Sequence, residues 1–495
     1  MDWLHQLTEA HPPDRTAIID HDGTRFSYGQ LGAMAADLAA LLQDHGLRPG
    51  DRLMLVSENS ATYGVAVLAA SLCKAWVVPT NARQSAEELG AIQAHCGARM
   101  MIFTPEASPN AKDHATRLGA QSIGRLLCGD VLVTGPYEAT PENVEPDPQS
   151  RVGALMYTTG TTTAPKGAMM THANLLWNAQ SSTKHRELTV EDTVLAILPG
   201  THIFGFSSTF LAGLFAGSTI RFLPRFSAEA VLQAFAEGAS VMPAVPQMYQ
   251  AIIQHLAQRG EQPNAPHLRQ ISAGGAPLDP EWKSRIEAFF GLPLNNGYGL
   301  TETSPGVAGT KNSKPRSDTA VGDILDDVEC LIDQPDKDGV GELLIRGPNI
   351  MKGYYRNPGQ THDAIREDGF FHSGDLARFG DDGALFILGR KKELIIRSGF
   401  NVYPPEVEAM LTRHPDILQA AVVGRQMGGN EEILAFILTR GGISEDEVKS
   451  YLTQHLVAYK IPQHVMIVDK FPVAATGKIL KHKLTHVFAD LLAAR

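Results

Sequence analysis

Apolar residues follow two spacings along the chain. Between Leu31 and Leu42 they fall at helical intervals, with Leu31, Met34, Leu38, Leu41 and Leu42 on one face. This spacing predicts an amphipathic helix. The helix ends at His45-Gly46, and Pro49-Gly50-Asp51 turns the chain into the short apolar run Arg52-Leu53-Met54-Leu55-Val56, which predicts a strand. The same rhythm of strand and helix returns around Val194 to Leu198, Thr219 to Leu223 and Arg269 to Ser272. Strands separated by helices predict α/β layers with largely parallel sheets. No period of solenoid length is present.

Two segments read as boundaries. Pro136 to Gln149 is acidic and rich in proline, which predicts a surface linker inside a large domain. After Gly389-Arg390-Lys391-Lys392 the pattern becomes one compact α+β unit. It comprises a helix over Pro405 to Arg413, strands over Gln419 to Gly424 and Ile433 to Thr439, a helix over Ser444 to His455 and a strand over Gln463 to Val468. The expected fold class is α/β, with a large multi-sheet N-terminal domain over residues 1–390 and a small α+β C-terminal domain over 391–495.

Composition narrows the function. A chain of 495 residues that is 43% hydrophobic holds more than one ordinary core needs. Its net charge of -11, with both signs mixed along the chain, gives no general attraction to nucleic acid or anionic lipid. A phosphate-bearing ligand would therefore need local donors. The cysteines Cys73, Cys96, Cys128 and Cys330 lie far apart and form no C-x-x-C. Neither a zinc site nor a disulfide framework is expected, and a reducing, cytoplasmic setting is. Met1 to His11 is polar and acidic, unlike a secretion signal, and Val65 to Ala70 is too short to span a bilayer. The closing Leu-Leu-Ala-Ala-Arg matches no retention or peroxisomal address.

The richest local chemistry lies in Tyr157-Thr158-Thr159-Gly160-Thr161-Thr162-Thr163-Ala164-Pro165-Lys166-Gly167. Hydroxyls and free backbone amides can wrap phosphate oxygens, and a lysine adds a point charge. The Walker pattern fails, because Pro165 stands where its second glycine belongs and Gly167 follows the lysine. By composition alone, a polar surface loop accounts for the segment equally well. The segment resembles the phosphate loop of the adenylate-forming superfamily, which includes acyl-CoA synthetases, adenylation domains of peptide synthetases, and luciferases. That loop reads approximately Y-T-S-G-T-T-G-x-P-K-G. The resemblance implies that Thr158, Thr159, Gly160, Thr161, Thr162 and Lys166 contact ATP. Thr163 departs from the usual glycine, and its β-branch stiffens the loop without removing the expected activity.

Further stretches resemble the family's motifs in the family's order. Leu198-Pro199-Gly200-Thr201-His202-Ile203-Phe204-Gly205-Phe206 resembles the segment whose histidine lies at the mouth of the acyl pocket. This implies a catalytic and substrate-facing role for His202 and a pocket role for Phe204; taken alone, His202 reads as an ordinary histidine. Ser272-Ala273-Gly274-Gly275-Ala276-Pro277-Leu278 resembles the loop between nucleotide and acyl sites, with Gly274 toward substrate and Gly275 and Ala276 toward ATP. Glycines there permit close backbone approach to a flat ligand. Asn295-Asn296-Gly297-Tyr298-Gly299-Leu300-Thr301-Glu302 resembles N-x-Y-G-x-T-E. Tyr298 would stack on adenine, Asn296 would pair with its amino edge, Thr301 would bond the α-phosphate and Glu302 would hold magnesium. Gly299 and Ser304 are expected beside the substrate. In isolation, the same stretch is equally a tyrosine-containing turn with a surface glutamate.

Gly341-Glu342-Leu343-Leu344-Ile345-Arg346-Gly347, followed by Gly353-Tyr354-Tyr355, resembles the strand and turn before the family's hinge. His372-Ser373-Gly374-Asp375 resembles T-G-D, with Asp375 on the ribose hydroxyls, and Gly389-Arg390-Lys391-Lys392-Glu393 resembles G-R-x-[KD]-[DE]. Arg390 would contact ribose or phosphate, and Lys392 would be the hinge. Ser398-Gly399-Phe400-Asn401-Val402-Tyr403-Pro404 would line the thiol's path, with Gly399 at its centre. Thr476-Gly477-Lys478-Ile479-Leu480 resembles the motif of the catalytic lysine, Lys478. A lysine near a chain end is usually only a solvated charge; here its place after a Thr-Gly turn assigns it.

The resemblance runs from near residue 15 to near residue 485. It implies an AMP-forming ligase that joins a small-molecule carboxylic acid to coenzyme A, using ATP and magnesium, with a mobile C-terminal domain. Small Gly274, Gly297 and Gly299 and apolar Phe204 and Ala244-Val245-Pro246 imply an acid with an apolar tail, aliphatic or aromatic. The family often forms homodimers. The alternatives are loading of a carrier-protein thiol, a luciferase-like oxygenase and a non-catalytic nucleotide binder. Amino-acid adenylating relatives carry an aspartate after the histidine segment, where this chain has Phe204-Gly205-Phe206-Ser207-Ser208-Thr209. Nothing in the chain supports the oxidative step, and Glu302, Lys478 and the hinge are retained.

Overall fold

A computed structural model describes residues 1–158, 165–398, 400–427, 430–473 and 479–493. Among the sequence-assigned residues, Thr159, Gly160, Thr161, Thr162, Thr163, Gly399 and Lys478 lie outside the described residues.

The first expected helix forms as Tyr28–Asp44, started by a capping box in which the Ser27 hydroxyl accepts from the Gln30 amide. Its buried face carries Leu31, Met34, Leu38 and Leu42, as the spacing requires. Strand Arg52–Ser57 follows and is buried along its whole length, and helix Ala61–Leu72 is buried on nearly every side. That helix contains Val65 to Ala70, so the apolar run belongs to a core. Among the described residues, no helix is long and apolar enough to cross a membrane.

Two large sheets build the N-terminal part. One runs in the order Asp323–Ile324, Gly306–Gly309, Leu294–Gly299, Gln270–Gly274, Val241–Ala244, Thr193–Ala196, Thr219–Phe222, Thr16–Ile19, Arg25–Ser27. Its central strands are parallel, because helices such as Pro246–Arg259 and Pro280–Phe290 carry the chain back between them. The other runs Gly353–Tyr354, Lys166–Thr171, Val152–Thr158, Trp76–Asn81, Arg52–Ser57, Met100–Phe103, Gly129–Thr134, Gln121–Leu126. Leu55 and Phe222 from the two sheets share one core with Leu38, Val65, Phe206 and Phe210 from the helices between them.

The expectation of largely parallel sheets holds at the centres and fails at the edges and in a third sheet. That sheet is antiparallel, in the order Glu329–Asp333, Gly341–Arg346, Phe371–Phe379, Leu385–Arg390. Its chain connections contain too little helix for parallel crossovers. From Ile395 onward a separate core forms, with Ile395, Val402, Val407, Leu411, Val422, Ile433 and Val465. Its sheet joins Ile417–Met427, Asn430–Thr439 and His464–Ile467, close to the strands expected there.

The Pro136 to Gln149 segment runs over the surface, as expected, and is held there by hydrogen bonds. Arg52 Nη1 donates to the Thr140 carbonyl at 2.9 Å, and Arg48 donates to that of Ala139 at 2.7 Å. The Glu142 amide donates to the Gly50 carbonyl at 2.9 Å. Gly50 has φ +82°, and a Cβ there would lie 1.8 Å from the Glu142 carbonyl oxygen. Only glycine fits that conformation and that approach.

Candidate active site

The hairpin Val152–Thr158 and Lys166–Thr171 pairs antiparallel as far as Thr158 and Lys166. These two residues therefore flank the mouth of the threonine-rich segment. Strand Gly353–Tyr354 adds to the free edge, with Tyr354 opposite Ala168, and the Tyr355 amide donates to the Gly167 carbonyl at 2.8 Å. This register sets Tyr354 under Lys166, whose Nζ lies 5.6 Å from the ring centroid. The Tyr354 hydroxyl donates to Glu302 Oε1 at 2.7 Å. Burial, then the charge of Glu302, pushes the Tyr354 phenol upward, so it remains a donor at neutral pH. Glu302 sits in the short turn Thr301–Thr303 after strand Leu294–Gly299, and its carbonyl accepts from the Met351 amide at 2.9 Å. Lys166, Tyr354 and Glu302, 188 positions apart at their extremes, thus form one polar group.

A second group faces it. Asp375 and Arg390 are cross-strand partners in the antiparallel sheet, and Arg390 Nε lies 2.7 Å from Asp375 Oδ1. The Tyr298 hydroxyl donates to Asp375 Oδ2. Asp375 is only 3% exposed, and its amide donates to Ser373 Oγ at 3.0 Å. Burial first, then Asp375, raises the Tyr298 phenol well above its ordinary range. Tyr298 and Glu302 lie four positions apart on one stretch of chain, which joins the two groups. Asn296 lies one position before Gly297 on the same strand. Its side-chain amide nitrogen donates to the Thr319 and Ala320 carbonyls at 3.0 and 3.3 Å.

On the acyl side, Phe204 begins the wide helix Phe204–Leu211 with i to i+5 bonding, a form frequent at functional sites. His202 is exposed, and its Nδ1 accepts from the Phe204 amide at 3.3 Å. The Phe204 ring packs on Gly274, where a Cβ would lie 3.1 Å from Cε1. Gly275 has φ +75° and is exposed, and Ala276 is half-buried.

Two expected substrate residues are placed differently. Ser304 is fully buried, and its hydroxyl is directed at Met170 Sδ at 3.2 Å, so its side chain serves the framework. A Cβ at Gly299 would lie 1.8 Å from the Pro305 carbonyl oxygen; the missing side chain there makes room for backbone. Lys392 is exposed in the turn Lys391–Glu393. On either side of it, Lys391 pairs with Glu342 at 2.8 Å and Glu393 with Lys481 at 3.4 Å. The expected Lys478 segment is flanked by Val473 and Ile479, which form an antiparallel bridge.

Sequence reasoning missed Tyr354 as the partner of Glu302, although the Gly353-Tyr354-Tyr355 motif was visible. It also missed a polar stripe under Phe204. Asn178, Ser182 and Arg186 recur every four residues on and just after helix His172–His185. Asn178 Nδ2 donates to Ser207 Oγ at 2.7 Å and Ser208 Oγ at 3.2 Å, and Ser182 Oγ bonds Ser208 Oγ at 3.3 Å. Polar residues at helical spacing in a buried helix were the available signal.

Known proteins resemble this chain in sequence and fold. Residues 5–355 match the family described as AMP-binding enzyme, and residues 406–478 match the AMP-binding enzyme C-terminal domain. Feruloyl-CoA synthase of an Amycolatopsis species is 35% identical over 491 residues, covering 96% of each chain. ATP-bound MatB of Rhodopseudomonas palustris is 28% identical with a TM-score of 0.86, covering 99% of each chain. The o-succinylbenzoate CoA synthetase of Bacillus subtilis, solved with its acyl-adenylate intermediate, is 25% identical with a TM-score of 0.83, covering 98% of this chain and 97% of that one. The chain belongs to the AMP-binding enzymes of the adenylate-forming superfamily, as an acyl-CoA synthetase that ligates a carboxylic acid to coenzyme A through an acyl-adenylate.

Proposed function

We propose that ATP and the acid meet between the Lys166–Tyr354–Glu302 group and the Tyr298–Asp375–Arg390 group. The observation that carries this reading is the convergence of these residues on the stretch from Tyr298 to Glu302, with Lys166 and Tyr354 beside Glu302 and Asp375 and Arg390 beside Tyr298. Adenine stacks on Tyr298 and offers its amino group to Asn296. Asp375, oriented by Arg390, accepts from the ribose hydroxyls. Thr158 and Lys166, with Thr159 to Thr162, hold the phosphates, and Thr301 bonds the α-phosphate.

Magnesium fits this set. Glu302 gives one oxygen to Tyr354 and keeps the other, and a single carboxylate together with ATP phosphates is a usual magnesium environment. The ion would neutralise phosphate charge there.

In the first half-reaction an oxygen of the acid attacks the α-phosphorus, and the bond to pyrophosphate breaks. Lys478 draws the two anionic groups together; positioned cations and backbone donors lower the barrier where charge builds up. In the second, the thiol sulfur of coenzyme A attacks the acyl carbon, its proton is lost, and AMP leaves. The domain boundary falls at Arg390 and Lys391. Rotation about Lys392 removes Lys478 and brings the Gly399 segment in, so one hinge serves both steps.

The relatives' feruloyl-CoA and o-succinylbenzoate names support an aromatic or similarly sized acid. The test is a panel of such acids scored for pyrophosphate, AMP and thioester, with and without coenzyme A. Pyrophosphate without thioester when coenzyme A is present would move the acceptor to another thiol. No pyrophosphate with any acid would refute the reading.

A further inference from the structure

The expected apolar tail, aliphatic or aromatic, meets a charge against Phe204. Arg186 follows helix His172–His185, and its guanidinium carbon lies 5.6 Å from the Phe204 ring centroid. One of its N–H groups donates to the Ser208 carbonyl. Ser208 lies one helical turn beyond Phe204, and Asn178, Ser182 and Ser207 complete a polar floor around it. Phe204 in turn packs on Gly274. Arg186 is thus one ring's width from the loop between nucleotide and acyl sites.

No carboxylate among the described residues pairs with Arg186. Asp192 and Asp326, on the segments near it in sequence or paired with its helix, are held by other cations, Asp192 by Arg269 at 2.7 Å and Asp326 by Lys184, and the adjacent Glu187 makes no ion pair with Arg186 among the described residues. The Tyr249 phenol, whose charge would act on Arg186, is instead a neutral donor to the carbonyls of Met242 and Ser272 at 2.7 and 3.0 Å. Arg186 lies deep in the fold, and burial draws its pKa down to about 10, yet it keeps accessible surface. The Phe204 ring covers the guanidinium on one side, and part of the residue stays accessible. A guanidinium has five donors in a fork that matches a carboxylate, and only one is committed here. Burying it without a counter-ion is costly. A bound anion would offset that cost.

We propose that Arg186 is an anion subsite at the far end of the acyl pocket, and that the activated acid carries a second carboxylate there. This rests on the acid–CoA ligase reading and specifies its substrate class. One carboxylate reacts with ATP; the other pairs with Arg186 across the width of Phe204.

The test uses the full chain with ATP, magnesium and coenzyme A, and acids in matched pairs: hexanoate against adipate, benzoate against terephthalate, cinnamate against its para-carboxy derivative. Acyl-CoA formation is read for each. In at least one pair the diacid is favoured by about tenfold or more in kcat/KM, and Arg186→Met lowers that ratio by about tenfold or more. Arg186→Lys, which keeps the charge, retains part of it. Preference for the monoacid in every pair overturns the proposal. So does a ratio that Arg186→Met leaves within about threefold. If Arg186→Met does not fold, the wild-type ratios decide alone. If the wild-type chain forms thioester with no acid at all, the ligase reading fails, and the inference fails with it. Brisk turnover of monoacids alone overturns only the inference.

Discussion

Replacing Asp375 with asparagine keeps its size and removes its charge. The carboxylate is 3% exposed and receives Arg390 Nε at 2.7 Å as well as the Tyr298 hydroxyl. Hydrogen bonds to charged groups contribute about 1.5–3 kcal/mol each. The asparagine oxygen can still accept from one partner, but its NH2 then confronts the other donor. The net loss is about 3 kcal/mol in kcat/KM for ATP, or roughly 150-fold at 1.36 kcal/mol per decade. The assay is initial pyrophosphate release against ATP concentration at saturating acid, with far-UV circular dichroism to confirm the fold. Arg390→Met lacks the matching cation and is expected to lose about 2 kcal/mol alone. Because the two share one contact, the double variant should fall short of the sum by about 1.5 kcal/mol. Asp375→Asn within about threefold of wild type, or strict additivity with Arg390→Met, would refute an ATP-positioning role for the pair.

Lys478→Ala is expected to lose adenylate formation while still converting pre-made acyl-adenylate and coenzyme A to thioester; near-normal pyrophosphate release would remove Lys478 from the mechanism. Lys392→Pro fixes φ at the turn Lys391–Glu393. It should keep adenylation within about tenfold, some 1.4 kcal/mol, while thioester formation falls much further. Equal loss in single-turnover assays of both steps would contradict a hinge there. His172 and His185 are held neutral by burial, with pKa values drawn down to about 3 and about 4. In the unfolded chain both titrate near their ordinary value of about 6.5. Their contribution to stability is therefore complete above that pH and is lost as pH falls toward 4. Each costs up to about 1.4 kcal/mol per pH unit. Urea unfolding at pH 7 and pH 5 should show a loss smaller by about 2 kcal/mol in His172→Gln than in wild type; equal losses would count against a neutral, buried His172.

The helices and central strands were legible because their apolar period is local. Leu31 to Leu42 and Arg52 to Val56 became elements with nearly the expected ends. The antiparallel sheet around Asp375 was not, because hairpin pairing depends on partners such as Arg390 that no short window contains. Motif spacing found both halves of each polar group. It did not reveal that Tyr298 would spend its hydroxyl on Asp375, or Tyr354 on Glu302. Ser304 and Gly299 were misplaced for a related reason. A serine and a glycine beside a motif look alike whether they face a ligand or the backbone, and only the Met170 and Pro305 contacts decide. The apolar-tail expectation weighed Phe204 and the small residues. Arg186, eighteen positions earlier, carried no local mark of lying against the Phe204 ring.

Acyl-adenylate formation is tested most directly by oxygen transfer. The protein is incubated with ATP, magnesium, coenzyme A and its best acid labelled with oxygen-18 in the reacting carboxyl group, and the products are weighed by mass spectrometry. Attack of the acid on the α-phosphorus followed by thiolysis puts one labelled oxygen in each AMP formed, with none in pyrophosphate. Unlabelled AMP alongside the thioester, or label in inorganic phosphate with ADP as the nucleotide product, would contradict it.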